Sequence, residues 1–128
     1  MKLRNKYEDA IDRRHKIIDE INKLMEGPVE KDYAIQIRIL GLLKESSKLR
    51  HSLTELSEMF DEDELSGREM EYYRTILEYI GLVDCEREED VLKNIISIAS
   101  KYDGPLNSNI EWIKKQLKDL QKLKEKIL

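Results

Sequence analysis

Few residues of this sequence stand at a spacing that could support metal or acid–base chemistry. Asp12 and His15 are three residues apart, so on a helix their carboxylate and imidazole groups would share one face. A metal site of this kind in a helical bundle needs a second such pair and further inward carboxylates, and His51 is the only other histidine. We therefore predict that the protein binds no metal and no other cofactor.

The acidic segment DEDELSG, residues 61–67, begins like a calcium-binding loop. Leu65 stands where such a loop needs an oxygen ligand, and Gly67 comes one position too late for the required turn. An exposed acidic turn is the better interpretation of this segment.

Cys85 is the only cysteine, so the chain forms no intrachain disulfide. Its neighbours Asp84 and Glu86 are acidic, and negative charge nearby raises the pKa of a thiol and makes it less nucleophilic. The five glycines are isolated, so no glycine-rich loop is present that could bind a phosphate group. These observations predict a protein that is not an enzyme.

The net charge of −4 conceals an uneven distribution along the chain. Residues 1–54 carry 12 Lys and Arg against 9 Asp and Glu, residues 55–90 carry 3 against 14, and residues 91–128 carry 8 against 4. An acidic segment, residues 55–90, therefore lies between two basic flanks. This segregation favours a basic protein partner, because oppositely charged surfaces steer association.

Apolar residues recur at helical spacing along nearly the whole chain and predict an all-α fold with about six helices in one compact domain, residues 1–128. The predicted helices span residues 2–26, 32–49, 52–60, 66–80, 86–102 and 108–128. Glycine followed by proline, at Gly27 and again at Gly104, interrupts the pattern twice. The first and last helices are long and amphipathic.

Three of these helix starts carry the same Ser-x-x-Glu pattern. In this arrangement the serine and the glutamate satisfy two amide donors that the first helical turn leaves unpaired. The three pairs are Ser52 and Glu55, Ser66 and Glu69, and Ser108 and Glu111.

Residues 35–83 contain a long helix, a short helix with the sequence LTELS, an acidic turn, and a further helix ending in GLV. This order resembles the trihelical core of helix-turn-helix and winged-helix regulators of the MarR type. The segment DCEREED after GLV reads as another helix start, so the resemblance implies a wingless regulator that binds DNA as a dimer. The basic residues that would contact DNA in this alternative are Arg13, Arg14, Lys16, Arg68, Arg74, Lys114, Lys118 and Lys122.

The charge of the acidic segment opposes contact with phosphates, so DNA binding is the alternative function and not the favoured one. The favoured function is a non-enzymatic protein-interaction module that self-associates, with a homodimer as the expected assembly. Its candidate interface residues are Leu3, Tyr7, Ile17, Ile21, Leu24, Tyr72, Tyr79, Trp112, Leu117 and Leu120. Trp112 is expected either at the edge of the core or in the interface.

Arg14 interrupts the apolar repeat of the first helix. A third reading of the sequence is therefore a bundle enzyme or ligand binder with a pocket of inward-facing charges.

The chain has no charged leader with an apolar core and no run of about 18 apolar residues. These features predict a cytoplasmic protein without membrane contact.

Overall fold

The structure is a computed structural model that describes the backbone of residues 3–60 and 67–127 and the side chains of residues 6, 8–55 and 83–125. All regular structure in these ranges is helical, which confirms the predicted all-α class. The described residues form five helices, where about six were predicted for the chain. They are α1 (Leu3–Met25), α2 (Tyr33–Phe60), α3 (Gly67–Lys101), α4 (Pro105–Ser108) and α5 (Ile110–Ile127).

The turn between α1 and α2 follows the local sequence closely. The amides of Glu26 and Gly27 bond back to the carbonyls of Lys23 and Leu24, and Pro28 then prevents the helix from continuing. The α2 helix starts because the Asp32 carboxylate accepts hydrogen bonds from the amides of Ala34 and Ile35, at 3.0 and 3.2 Å.

The predicted helix boundary between residues 49 and 52 is wrong, because α2 continues through it to Phe60. Ser52 and Glu55 therefore lie inside a helix and do not cap one. The sequence between Gly41 and Phe60 contains neither glycine nor proline, so nothing in it breaks the backbone ladder. The Thr54 hydroxyl bonds back to the Arg50 carbonyl at 3.0 Å, as expected within a continuous helix.

The predicted boundary near residues 81–86 is also wrong, since α3 runs without interruption from Gly67 to Lys101. Gly81 costs a helix about 1 kcal/mol relative to alanine, yet α3 continues through it. The segment DCEREED therefore begins no new helix, and its first residue, Asp84, is buried and interacts with side chains of α1 and α3. The pair Ser66 and Glu69 and the segment 61–66 lie outside the described residues.

The third predicted start is displaced by two residues, because α5 begins at Ile110, and Ser108 is the last residue of α4 and not the cap of α5. The single turn α4 precedes it and was not predicted. Pro105 opens α4, where its missing amide hydrogen is not needed, and Asn109 separates the two helices.

The four long helices form a bundle in which α1 and α2 make one hairpin and α3 and α5 make another. The first hairpin is antiparallel, as shown by the ion pairs of Arg13 with Glu45 and of Glu20 with Arg38. The buried Gln36 side chain joins the α1–α2 turn to the turn before α4, so both turns lie at the same end of the bundle. Its amide donates to the Val29 carbonyl at 2.8 Å and accepts from the Leu106 amide at 3.2 Å.

Aliphatic side chains from every helix form the core between the hairpins. Those buried in it are Ile17, Ile21, Val29, Ile39, Leu40, Leu42, Leu43, Val91, Leu92, Ile95, Ala99, Leu106, Ile113 and Leu120. The α2 helix is buried on one side only. Ile37 is 60% exposed, because the other helices pack on the opposite side of α2. None of the described helices is long and apolar enough to cross a membrane.

Candidate functional site

Polar and charged side chains lie inside the bundle where core positions would ordinarily be apolar. The side chains that define this buried ionic cluster are Arg14 of α1, Ser46 and Arg50 of α2, Glu88 of α3 and Gln116 of α5. Arg14 and Glu88 are each 2% exposed and Arg50 is 6% exposed. Arginine and glutamate are almost never so deeply buried unless they are paired, so the cluster is the most unusual feature of the interior.

The Glu88 carboxylate is the centre of the buried ionic cluster. Its Oε2 accepts a hydrogen bond from Arg14 Nη2 at 2.6 Å, and its Oε1 accepts one from the Ser46 hydroxyl at 3.1 Å. Arg50 Nε lies 3.3 Å from the same Oε1 as an ion pair. Both oxygens of a single carboxylate are therefore engaged by side chains of two other helices.

The fourth long helix joins the cluster through Gln116. Arg50 Nη2 donates to Gln116 Oε1 at 2.8 Å, which links α2 to α5. All four long helices consequently meet through polar contacts in the interior. Such contacts are directional. They therefore restrict the relative positions and orientations of the helices more than apolar packing does.

The Arg14 guanidinium keeps its positive charge inside the bundle. Burial opposes the charge of the Arg14 guanidinium, but the attraction of Glu88 and its hydrogen bond outweigh burial and raise the pKa of Arg14. Arg14, Arg50 and Glu88 together carry two positive charges and one negative charge.

Cys85 lies beside the cluster, fully buried, with its Sγ 3.7 Å from Arg14 Nη2. Burial raises the pKa of its thiol, and the nearby Arg14 charge offsets this only in part. The predicted direction of the pKa shift is confirmed. Its main cause is removal from water, however, and not the neighbouring residues Asp84 and Glu86.

A second polar group lies on the neighbouring side of α1 and α3, around the buried carboxylate of Asp84. The Asp84 Oδ1 atom lies 3.0 Å from His15 Nδ1 and 3.2 Å from Arg87 Nη1. Arg87 also pairs with Asp19. These contacts join the outer surfaces of α1 and α3 beside the buried ionic cluster.

His15 is therefore directed toward α3 and not toward Asp12, whose carboxylate pairs with Lys16 at 2.9 Å. The spacing of Asp12 and His15 does not bring the two groups together. No three His, Cys, Asp or Glu side chains converge as metal ligands in the part of the chain that the structure describes.

The structure places three of the predicted interface residues in the core of the single chain. Ile17, Ile21 and Leu120 are at most 1% exposed, because the apolar faces of α1 and α5 pack against the other helices. They are therefore not available to a partner. Leu24, Trp112 and Leu117 are partly buried and pack against the same core. The side chains of Leu3, Tyr7, Tyr72 and Tyr79 lie outside the described residues.

The basic residues assigned to the DNA-binding alternative occupy different environments. Arg14 was wrongly included, because it is buried against Glu88 and does not reach the surface. Arg13 and Lys16 are exposed but pair with Glu45 and Asp12. The α5 residues Lys114, Lys118 and Lys122 are all exposed. The side chains of Arg68 and Arg74 lie outside the described residues.

Large apolar side chains are exposed at the end of the bundle that carries the turns. Tyr33 is 53% exposed, Ile37 is 60% exposed and Tyr102 is 48% exposed. Ile37 lies one helical turn after Tyr33 on α2, and the backbone of Gly104, two residues after Tyr102, packs against the Tyr33 ring. We call Tyr33, Ile37 and Tyr102 the apolar end face; sequence periodicity did not identify it.

No protein-family model, curated protein or solved structure matches the chain. The resemblance of residues 35–83 to helix-turn-helix regulators therefore stays a prediction.

Proposed function

We propose that the protein is a non-enzymatic helical interaction module that self-associates through the apolar end face. The observation that carries this proposal is the exposure of Tyr33, Ile37 and Tyr102, each about half or more exposed in the single chain. Grouped apolar and aromatic side chains on a surface are typical of protein contacts, and tyrosine is enriched among the residues that contribute most to binding.

The backbone near Ile37 favours close approach by another chain. Ala34 and Gly41, three residues before and four residues after Ile37, are exposed on the same side of α2. A methyl group added at Gly41 would meet nothing within 4 Å. A second protein surface can therefore come close to α2 on both sides of the Ile37 side chain.

The distribution of charge supports association between copies of the chain. Lys44 and Lys48 are exposed further along α2, whereas Glu86 and Asp90 of the acidic segment are exposed on α3. Asp84 and Glu88 belong to the same segment but are buried, so they do not contribute to its surface. Surfaces of opposite sign on two copies attract each other, and the acidic surface would equally attract another basic protein.

The buried ionic cluster supports this function indirectly. Its hydrogen bonds join all four long helices and hold α2 and α3 in a defined relative position. Tyr33 and Ile37 belong to α2, and Tyr102 follows α3 directly. A fixed arrangement of these helices keeps the apolar end face preorganised, which lowers the entropy lost on binding.

Multi-angle light scattering tests the proposal by giving the molar mass of the native protein over a wide range of concentrations. A rise from the monomer mass of 15.2 kDa toward twice that value supports a homodimer. A constant monomer mass at every concentration contradicts self-association. Repeating the series at higher salt separates the apolar contribution from the charged one, because salt screens only the latter.

DNA binding by a dimer is the second candidate function, and one observation favours it. Lys114, Lys118 and Lys122 are exposed at intervals of four residues on α5, so they form a continuous basic row. Fluorescence anisotropy with a mixed pool of duplex DNA at low and physiological salt tests this candidate. Binding that weakens steeply with salt supports it, and the absence of binding at low salt excludes it.

A further inference from the structure

We propose that the buried ionic cluster is a binding site for one small oxyanion, such as phosphate, sulfate or a carboxylate, held by Arg14 and Arg50. This site is separate from the apolar end face and does not depend on self-association. Three observations support it: the balance of charge, the balance of hydrogen-bond donors and acceptors, and the state of the neighbouring thiol.

The balance of charge favours a negative ligand. Arg14 and Arg50 are buried with one carboxylate, Glu88, in direct contact with both. The nearby carboxylate of Asp84 instead faces His15 and Arg87. Buried charges in proteins are ordinarily compensated, because an isolated charge in a region of low polarity is strongly disfavoured. Among the described side chains, one positive charge of the cluster is left for a ligand to compensate.

The hydrogen-bond donors of the cluster also exceed its acceptors. A guanidinium group has five N–H donors and no acceptor. Arg14 Nε and Arg50 Nε are buried and have no hydrogen-bond acceptor among the described side chains. Arg50 Nε lies close to Glu88 Oε1, but not with hydrogen-bond geometry. An oxyanion offers several acceptor oxygens, and guanidinium groups bind such groups in a well-defined geometry.

The Cys85 thiol does not supply the negative charge. Its sulfur is a weak acceptor 3.7 Å from Arg14 Nη2, and burial raises the pKa of the thiol, so the group is neutral at physiological pH. The only negative group in direct contact with Arg14 is therefore Glu88, within the described residues.

An ion would reach the two arginines where α2 meets α5. Arg50 Nη2 donates to Gln116 Oε1 at this junction, and these two residues are each 6% exposed. Entry of the ion would require these two side chains to move.

Isothermal titration calorimetry of the full chain with sodium phosphate, sodium sulfate and sodium acetate at constant ionic strength tests the proposal. A saturable 1:1 binding curve for at least one of these anions is the expected result, and the comparison of acetate with the other two distinguishes a carboxylate ligand from a phosphate-like one. Protein concentration is held constant, so changes in assembly do not contribute to differences among anions.

The informative variant is Arg50→Gln, with Lys115→Gln as the matched control, which removes an exposed positive charge of α5 outside the basic row. We expect Arg50→Gln to weaken anion affinity by about tenfold or more, the size of one lost charge-assisted contact, and Lys115→Gln to leave it unchanged. If circular dichroism shows that Arg50→Gln is unfolded, Arg50→Lys, which keeps the charge but loses the planar donor group, is expected to weaken binding several-fold. The proposal is overturned if the wild type shows no saturable binding of any of the three anions. It is also overturned if the folded Arg50 variant has the same anion affinity as the wild type.

Discussion

The Arg14 Nη2 atom of α1 lies 2.6 Å from the Glu88 Oε2 atom of α3, and both side chains are buried. Taking two charges out of water costs free energy that their attraction does not always recover, so a buried pair is no guarantee of net stability. Its clearer consequence is geometric. The pair permits one alignment of α1 with α3, and through Ser46 and Arg50 it extends this constraint to α2.

Removing the central carboxylate should destabilise the protein strongly. In Glu88→Ala both arginines would stay buried without their shared anion, and breaking a buried pair in this way costs about 3–5 kcal/mol. Urea denaturation followed by circular dichroism measures the change in the free energy of unfolding. The matched control is Glu86→Ala on the same helix, whose exposed side chain is 3.8 Å from Lys124. This control should change stability by about 0.5 kcal/mol or less, and an equal effect of the two variants would contradict the assigned role of Glu88.

Gly104 is required by the backbone conformation of the turn before α4. Its φ is 146°, and a methyl group there would stand 2.6 Å from Gln36 Oε1 and 2.9 Å from Tyr33 Cε1. Gly104→Ala should therefore lower the free energy of unfolding by about 1–3 kcal/mol.

Gly41 is a control for which the opposite change in stability is expected, since it lies within α2 with open space around it. Gly41→Ala should raise the free energy of unfolding by about 0.5–1 kcal/mol, because alanine loses less conformational entropy in a helix. Thermal or urea denaturation of both variants measures the two effects. If Gly41→Ala destabilised the monomer as much as Gly104→Ala, the assignment of these backbone environments would be incorrect.

Cys85 should resist alkylation in the folded protein. Because its thiol is buried and has a raised pKa, iodoacetamide at pH 8 should react with it only after denaturant is added. Mass spectrometry of the two samples measures the modification. Rapid modification of the native protein would show that this part of the interior is open to solvent.

The same thiol predicts how stability depends on pH. Its pKa in the folded state is raised above the ordinary value of 9.0, so the folded protein retains the proton more firmly than the unfolded chain does. The protonated thiol therefore stabilises the folded protein. This contribution is fully present below pH 9.0, the pKa of the thiol in the unfolded chain, and is lost as the pH rises through the higher pKa of the folded state. Between pH 8 and pH 10 the wild type should therefore lose more unfolding free energy than Cys85→Ala. Equal losses in both proteins would mean that the thiol does not titrate differently on folding.

The helical class and the turns at Gly27 and Gly104 could be predicted from sequence, because periodicity and Gly-Pro steps act locally. The internal boundaries proposed for α2 and α3 could not. Ser52 begins a helix-start pattern and Gly81 is a helix-weakening residue, yet both helices continue through these positions. Local capping preferences of about 1 kcal/mol are smaller than the packing of a long helix.

The residues of the buried ionic cluster interrupt the apolar repeats of their helices. From the sequence, this interruption was recognised in α1 only. Arg14 interrupts an apolar repeat, and Glu88 and Gln116 do the same, between Cys85 and Leu92 and between Ile113 and Leu120. Each interruption alone is compatible with an exposed edge of a helix. Only the folded structure shows that they face one another. The apolar end face was missed for a related reason, since periodicity does not reveal which apolar side of α2 the other helices cover.

Sedimentation velocity of the wild type, Ile37→Glu and Asn94→Glu over a range of concentrations tests the proposed function most directly. Asn94 is exposed on α3, so its variant introduces the same charge on a helix surface outside the apolar end face. We predict that the wild type and Asn94→Glu have the same dimer dissociation constant. Ile37→Glu should raise this constant by about tenfold or more, equivalent to about 1.4 kcal/mol. A monomeric wild type, or a dimer that Ile37→Glu leaves unchanged, would contradict self-association through this face.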